Sequence, residues 1–204
     1  MKQAILYSLM LLFLLSGCWS GEQVVQRYFL LEPVEESQLD WPEGVFTISG
    51  SCHIEDVSIA PVYNTHQIAV RESSHQIRYF SFNEWAVRPE IQLTDMLLDF
   101  FDQNQVFQDV EHGRPLVQAD YLLQTAVSHL ELDHQDQVFK ARLHLEMQLV
   151  DMTTENIVFR HQAERLQEIP EKDLNQFAAV ISRFLEEELM AFSLAGMREI
   201  GPKR

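Results

Sequence analysis

Two groupings of side chains in this 204-residue chain could carry chemistry by residue type alone. Cys52 and His53 are adjacent, a thiol beside a base, preceded by Gly50-Ser51. They fall in a strand-like stretch, where neighbouring side chains point to opposite faces, so they cannot hydrogen-bond as a dyad without a sharp turn. Cys52 is read instead as a small buried hydrophobe. The second grouping is histidine. The eight residues, at 53, 66, 75, 112, 129, 134, 144 and 161, never fall into H-E-x-x-H or a comparable ligand spacing. His129, His144 and His161 could lie on three neighbouring strands, but turns near 134–135 and 154 would pair His129 near Lys140 and His161 near Met147. The three are then staggered and solvent-facing. Glu186-Glu187-Glu188 reads as a solvated helix edge. There is no G-x-S-x-G elbow, no phosphate-cradling glycine loop and no dinucleotide fingerprint. The expectation is a chain with no catalytic residue, no metal site and no cofactor.

One cysteine does carry a chemical signal. Lys2 opens a segment whose Ile5–Leu15 stretch is almost unbroken apolar, ending in Leu15-Ser16-Gly17-Cys18. A spanning helix needs roughly twenty apolar residues, so this one is too short to be a permanent anchor. Small residues directly before a cysteine resemble the bacterial lipobox, which implies cleavage ahead of Cys18 and acylation of that cysteine. The expected organisation is a signal peptide over 1–17, an acylated start and short tether over 18–26, a single domain over 27–196 and a tail over 197–204. Trp19-Ser20, with no Asp after the cysteine, points to the outer membrane. From Trp19 to Gln26 the tether is short enough to reach under about 30 Å even when extended. With Cys18 acylated, Cys52 has no partner and no disulfide framework exists.

Composition sets the limits around these residues. Fifteen Lys+Arg against 31 Asp+Glu give a net charge of −16. A sequence-independent grip on nucleic acid needs a positive surface, so nucleic acid is excluded as the main partner. Broad electrostatic adhesion to anionic lipid is disfavoured for the same reason, and membrane association must be local.

The elements that position everything else run strands, helix, strands, helix. Short strands are expected at Arg27–Leu31, Val45–Ile48, Ile54–Ile59, Gln67–Arg71 and Gln76–Phe82, the last two flanking a hairpin connection at 72–75. Pro89 opens a helix whose Leu93, Leu97, Phe100 and Phe101 repeat at helical spacing and whose stripe ends at Asn104. A short strand at Val106–Val110 follows. Strict alternation over 138–150 puts Phe139, Ala141, Leu143, Leu145, Met147 and Leu149 on one face, the mark of a half-buried antiparallel strand. With Tyr121–Leu132 and Ile157–Leu166 it makes a three-stranded meander. A last helix over 171–194 carries an apolar stripe from Leu174 to Phe192, with Gly196 and Gly201-Pro202 marking its end. The simplest assembly is α+β: a mostly antiparallel sheet with two main helices packed on one face.

The strands also carry a family resemblance. Ile59-Ala-Pro-Val62, Gln67-Ile-Ala-Val-Arg71, Gln76-Ile-Arg-Tyr79 and Glu84-Trp85 ahead of the first helix are similar to the ABC-type transport auxiliary lipoprotein family, the PqiC-like component of intermembrane lipid transport. Tyr28-Phe-Leu-Leu after the lipobox and the long final helix agree with it. Tyr63-Asn-Thr-His66 and Ser51-Cys52 depart from the family pattern. The resemblance implies a non-catalytic, periplasm-facing accessory subunit held in the outer membrane by an acyl anchor. It further implies partners: a periplasmic MCE-domain protein and an inner-membrane permease and ATPase, with phospholipid or another hydrophobic molecule as cargo. Arg71, Tyr79 and Trp85 carry the motif and are the candidate partner-binding residues, with packing and strand pairing as their other reading. An envelope-structure or outer-membrane biogenesis lipoprotein that binds protein but not lipid is the alternative, and self-association is left open.

Overall fold

The computed structural model describes residues 25–33, 41–42, 46–113, 118–170 and 172–201. Cys18, the lipobox, most of the tether, Val45 and Pro202 lie outside the described residues.

The elements are β1 (Arg27–Phe29), β2 (Ile48–Ile54), β3 (Ser58–Ile59), β4 (Gln67–Ser73), β5 (Gln76–Trp85), α1 (Pro89–Gln103), β6 (Phe107–His112), β7 (Tyr121–Asp133), β8 (Lys140–Asp151), β9 (Asn156–Glu168) and α2 (Leu174–Ile200). Together they form the expected α+β fold around one nine-stranded sheet. β7, β8 and β9 form the meander, antiparallel along the full length of β8. β7 is the spine. Its free edge takes up β2, β3 and β4 one after another, each in parallel. β6 then adds to β2, β5 to β4 and β1 to β5. The antiparallel ladders hold most of the paired residues, but the N-terminal half joins the spine through short parallel pairings that local alternation does not announce.

Both helices pack on one side. α1 begins at Pro89, whose fixed φ suits a first helical position, and it buries Leu93, Leu97 and Phe101. α2 starts at Asp173, whose carboxylate accepts from the backbone N–H of Asn175 and Gln176 at 2.9 and 3.1 Å. It runs on to Gly201, where φ of 67° suits a residue without Cβ. The helix therefore continues through Gly196, against expectation. A Cβ there would lie 3.4 Å from the Phe159 ring, so this glycine serves close packing on β9 and not termination.

Between helices and sheet lies a single apolar core. Ala141, Leu143, Leu145, Met147 and Leu149 of β8 are almost wholly buried, as their alternation requires. Trp85 lies 5.8 Å from the Phe177 ring of α2, and Phe101 of α1 meets Phe192 of α2 edge-on at 6.2 Å. Burial at about 25 cal/mol per Å² of apolar surface makes this layer the main source of stability.

Candidate functional site

The three residues singled out by the motif converge on one loop, Pro61–His66, between β3 and β4. The Tyr79 hydroxyl donates to the Val62 carbonyl at 3.0 Å. Trp85 holds the other end: its backbone N–H donates to the His66 carbonyl at 2.7 Å, and its own carbonyl lies 3.1 Å from His66 Nδ1. Arg71 Nη2 donates to the Tyr63 hydroxyl at 2.8 Å. Asn64 Nδ2 adds a bond to Glu90 of α1 at 2.9 Å. The loop is thereby fixed from β4, β5 and α1. Trp85 is only 2% exposed and Tyr63 is buried, whereas Val62 and His66 reach solvent. The motif residues act behind the loop, and other residues form its surface.

Under the loop lies a charged cluster on the sheet face away from the helices. A bulge at Val127–His129 shifts the alternation of β7, so Glu131 points away from the helices, yet it is 0% exposed. Tyr63 Oη donates to Glu131 Oε2 at 2.6 Å, and Arg71 Nε donates to Oε1 at 2.6 Å. Arg142 spans Glu131 at 3.3 Å and Glu164 of β9 at 2.6 Å. Two guanidiniums thus balance two carboxylates, and one buried carboxylate ties together the loop, β4, β7 and β8. Burial and the adjacent Glu131 push the Tyr63 hydroxyl up to about 12, which keeps it a neutral donor. The hydrogen bond it donates to Glu131 holds the Arg71 guanidinium above its usual range. Sequence reading named Arg71 but missed Glu131 and Arg142. Glu131 sits at an outward position of an alternating strand, where an acidic residue is unremarkable, and the only signal was the Tyr63 and Arg71 it pairs with.

The remaining candidates resolve individually. Cys52 is buried and its thiol is pushed upward by burial; its Sγ lies 3.8 Å from the His53 carbonyl and makes no bond to the imidazole. The bulge brings His129 beside His144, with rings stacked at 5.7 Å, where a stagger was expected. His161 pairs with Met147 as expected but faces α2, with Nε2 2.7 Å from Glu188. The three histidines are thus split between the two faces of the sheet, and no His/Cys/Asp/Glu grouping among the described residues could hold a metal ion. The glutamate run is also not a free edge. Glu186 and Glu188 are each 6% exposed, and Arg165 of β9 bonds Glu188 at 2.6 Å and also Glu187. A helix packed so closely on an edge strand turns Glu187 and Glu188 toward the strand's Arg165.

Residues 44–189 match the family model described as the ABC-type transport auxiliary lipoprotein component. No curated protein matches the chain in sequence. Among solved structures, a protein of Xanthomonas campestris assigned to the DUF330 family is similar at 18% identity and a TM-score of 0.66, over 78% of this chain and 89% of that one. A second, described only as an uncharacterized protein, is similar at 16% identity and a TM-score of 0.56, over 87% of this chain and 99% of that one. At such identities the two structures speak for the fold alone. Among the described residues, no helix is long and apolar enough to cross a membrane.

Proposed function

The chain belongs to the ABC-type transport auxiliary lipoprotein family, and we propose that it is the outer-membrane-anchored, periplasm-facing docking subunit of an MCE-type intermembrane lipid transport system. Acyl chains on Cys18 would hold it in the membrane. A periplasmic MCE-domain protein would be its direct partner, and an inner-membrane permease and ATPase would supply the energy. The chain itself would perform no catalysis and would need no cofactor.

The observation that supports this reading is the buttressed loop. Four side chains and a strand end hold Pro61–His66 in place, and a surface that is already ordered loses little conformational entropy when a partner binds. Val62 and His66 are its exposed apolar and amphipathic contacts. The strong net negative charge favours a partner with a basic patch, so association should slow as salt is raised.

The test is copurification of the full acylated chain with an MCE-domain protein in detergent, without nucleotide. Retention is expected, and Val62→Asp should weaken it tenfold or more if the loop is a binding centre, about the scale of an interface hot spot. Failure to retain any MCE-domain protein would remove the docking role. Anchoring has its own check: Cys18→Ala should remain unprocessed and carry no acyl label, and normal acylation of that variant would refute the lipobox.

A further inference from the structure

We infer that the region around β1 is a lipid-facing seat, in which Arg27 and Lys172 meet anionic headgroups while Tyr28 and its apolar neighbours rest at the membrane–water interface. The inference rests on the acyl anchor proposed above and adds to it a defined orientation of the folded domain.

Charge supplies the first observation. Among the described residues, Arg71, Arg78, Arg88, Lys140, Arg142, Arg160, Arg165 and Arg183 each have a carboxylate within 4 Å. Arg27, Lys172 and Arg198 have no described carboxylate at that distance. Two of these three line the same open groove of about 800 Å³, between β1, β5 and the start of α2. Among the described residues lining it, two cations stand against one carboxylate in a chain of net charge −16. The one carboxylate lining the groove, Asp173, is committed to the N-terminus of α2. Lys172 Nζ stands 4.4 Å over the Phe80 ring, with the Arg78 guanidinium 5.6 Å from the same ring. Burial, then the Arg78 charge, draw the Lys172 ammonium below its usual range, with Glu72 opposing them.

Apolar exposure flanks it along the edge strand. Val25 is 66% and Tyr28 63% exposed, and Leu30 and Phe82 are also exposed. Tyr is favoured at membrane interfaces because its ring is apolar and its hydroxyl is wet.

The length of chain decides the occupant. Arg27 is nine residues beyond Cys18, so an acylated Cys18 confines β1 to within roughly 30 Å of the headgroups at full extension. The chain as a whole carries −16 and is repelled by an anionic leaflet, which favours this basic patch as the part that approaches it. Each cation near an anionic surface favours the seated orientation by about fivefold.

The full acylated chain, reconstituted in vesicles of phosphatidylethanolamine with phosphatidylglycerol, tests this by spin labels at Tyr28→Cys and Asn156→Cys in turn, the latter on the far edge strand β9. A water-soluble paramagnetic reagent should collide with the label at 28 several-fold less often than with that at 156. The difference should shrink in vesicles of phosphatidylcholine alone, and the double variant Arg27→Glu/Lys172→Glu should lower the ratio of seated to unseated molecules by about 25-fold or more. Equal accessibility at both positions on every vesicle overturns the seat, as does indifference to charge reversal or protection at 28 only after an MCE-domain protein is added. Acyl labelling is measured on the same samples: its absence counts against the anchor, whereas acylation with equal accessibility counts against the seat alone. Circular dichroism on each variant separates loss of fold from loss of orientation.

Discussion

The two faces of the central sheet solve the same problem by different means. Toward the helices, β8 presents Ala141, Leu143, Leu145, Met147 and Leu149, and the layer is held by apolar burial, which has no preferred direction. On the other face, Arg142 of the same strand joins Glu131, Arg71, Tyr63 and Glu164, a network in which each bond has a distance and an angle to satisfy. The first face tolerates conservative repacking; the second specifies one arrangement. That difference suits their tasks: the apolar face makes the domain stable, and the polar face fixes the loop proposed to meet a partner.

The comparison is most easily broken at Glu131. Replacing it with Gln leaves Arg71 and Arg142 beside a neutral amide, and loss of one member of a buried ion pair costs about 3–5 kcal/mol. Glu131→Gln should therefore lower the urea midpoint strongly and speed amide exchange in the 61–66 loop. A small effect would mean that the outer face only decorates a sheet stabilised from the other side. Leu145→Ala tests the inner face. Truncation of a 1% exposed leucine should cost about 2–5 kcal/mol through lost burial and the cavity left behind, without selectively loosening the loop.

His129 is where pH should reach the outer face. Burial, then the Arg142 charge, hold its imidazolium below the ordinary 6.5, with Arg71 and His144 acting the same way and Glu131 opposing them. The unfolded chain then takes up this proton at higher pH than the folded one, so the unfolded state gains as acid is added. This contribution to stability is complete above 6.5 and declines as pH falls through that value. Glu164, held below 4.5 by Arg142, adds its own loss only in more acidic solution. Urea midpoints followed downward from neutral pH should show the decline begin near the histidine range, and His129→Asn should flatten that first part; an unchanged profile would remove His129 as its source. The smallest effect is expected at His144→Ala. Its partners, Ser128 Oγ at 2.9 Å and Gln162 Nε2 at 2.9 Å, are exposed, and the change should stay within about 0.5 kcal/mol. A loss matching that of Leu145→Ala would show that both faces are equally committed to stability.

Much of this molecule was legible in its residues. Strict alternation announced β8 and, with polar turns on either side, the whole meander. The spacing of Leu93, Leu97 and Phe101, and of Phe177 through Phe192, announced both helices, because amphipathic periodicity is a local property that a chain must display to bury one face. The strand motifs carrying Arg71, Tyr79 and Trp85 pointed to the family. What these patterns left out was non-local. Parallel addition of β2, β3 and β4 to one edge of β7 joins segments up to 69 residues apart in the chain, and nothing in a short window encodes a partner so distant. The bulge that turned Glu131 outward and set His129 on His144 shifts a register by a single residue, enough to exchange the faces of everything after it. Gly196 and the Glu186–Glu188 run were misjudged for the same reason: a glycine inside a helix and a row of glutamates take their meaning from the strand packed against them. Sequence by itself determined the meander, both helices, the class of fold and the family, since these follow from periodicity and motif, whereas the strands expected at Val45–Ile48 and Ile54–Ile59 proved to be one strand at Ile48–Ile54 and a short one at Ser58–Ile59. Tertiary structure alone decided that three motif residues would brace one loop, because hydrogen bonds between distant segments exist only after the apolar core has brought those segments within 3 Å of each other.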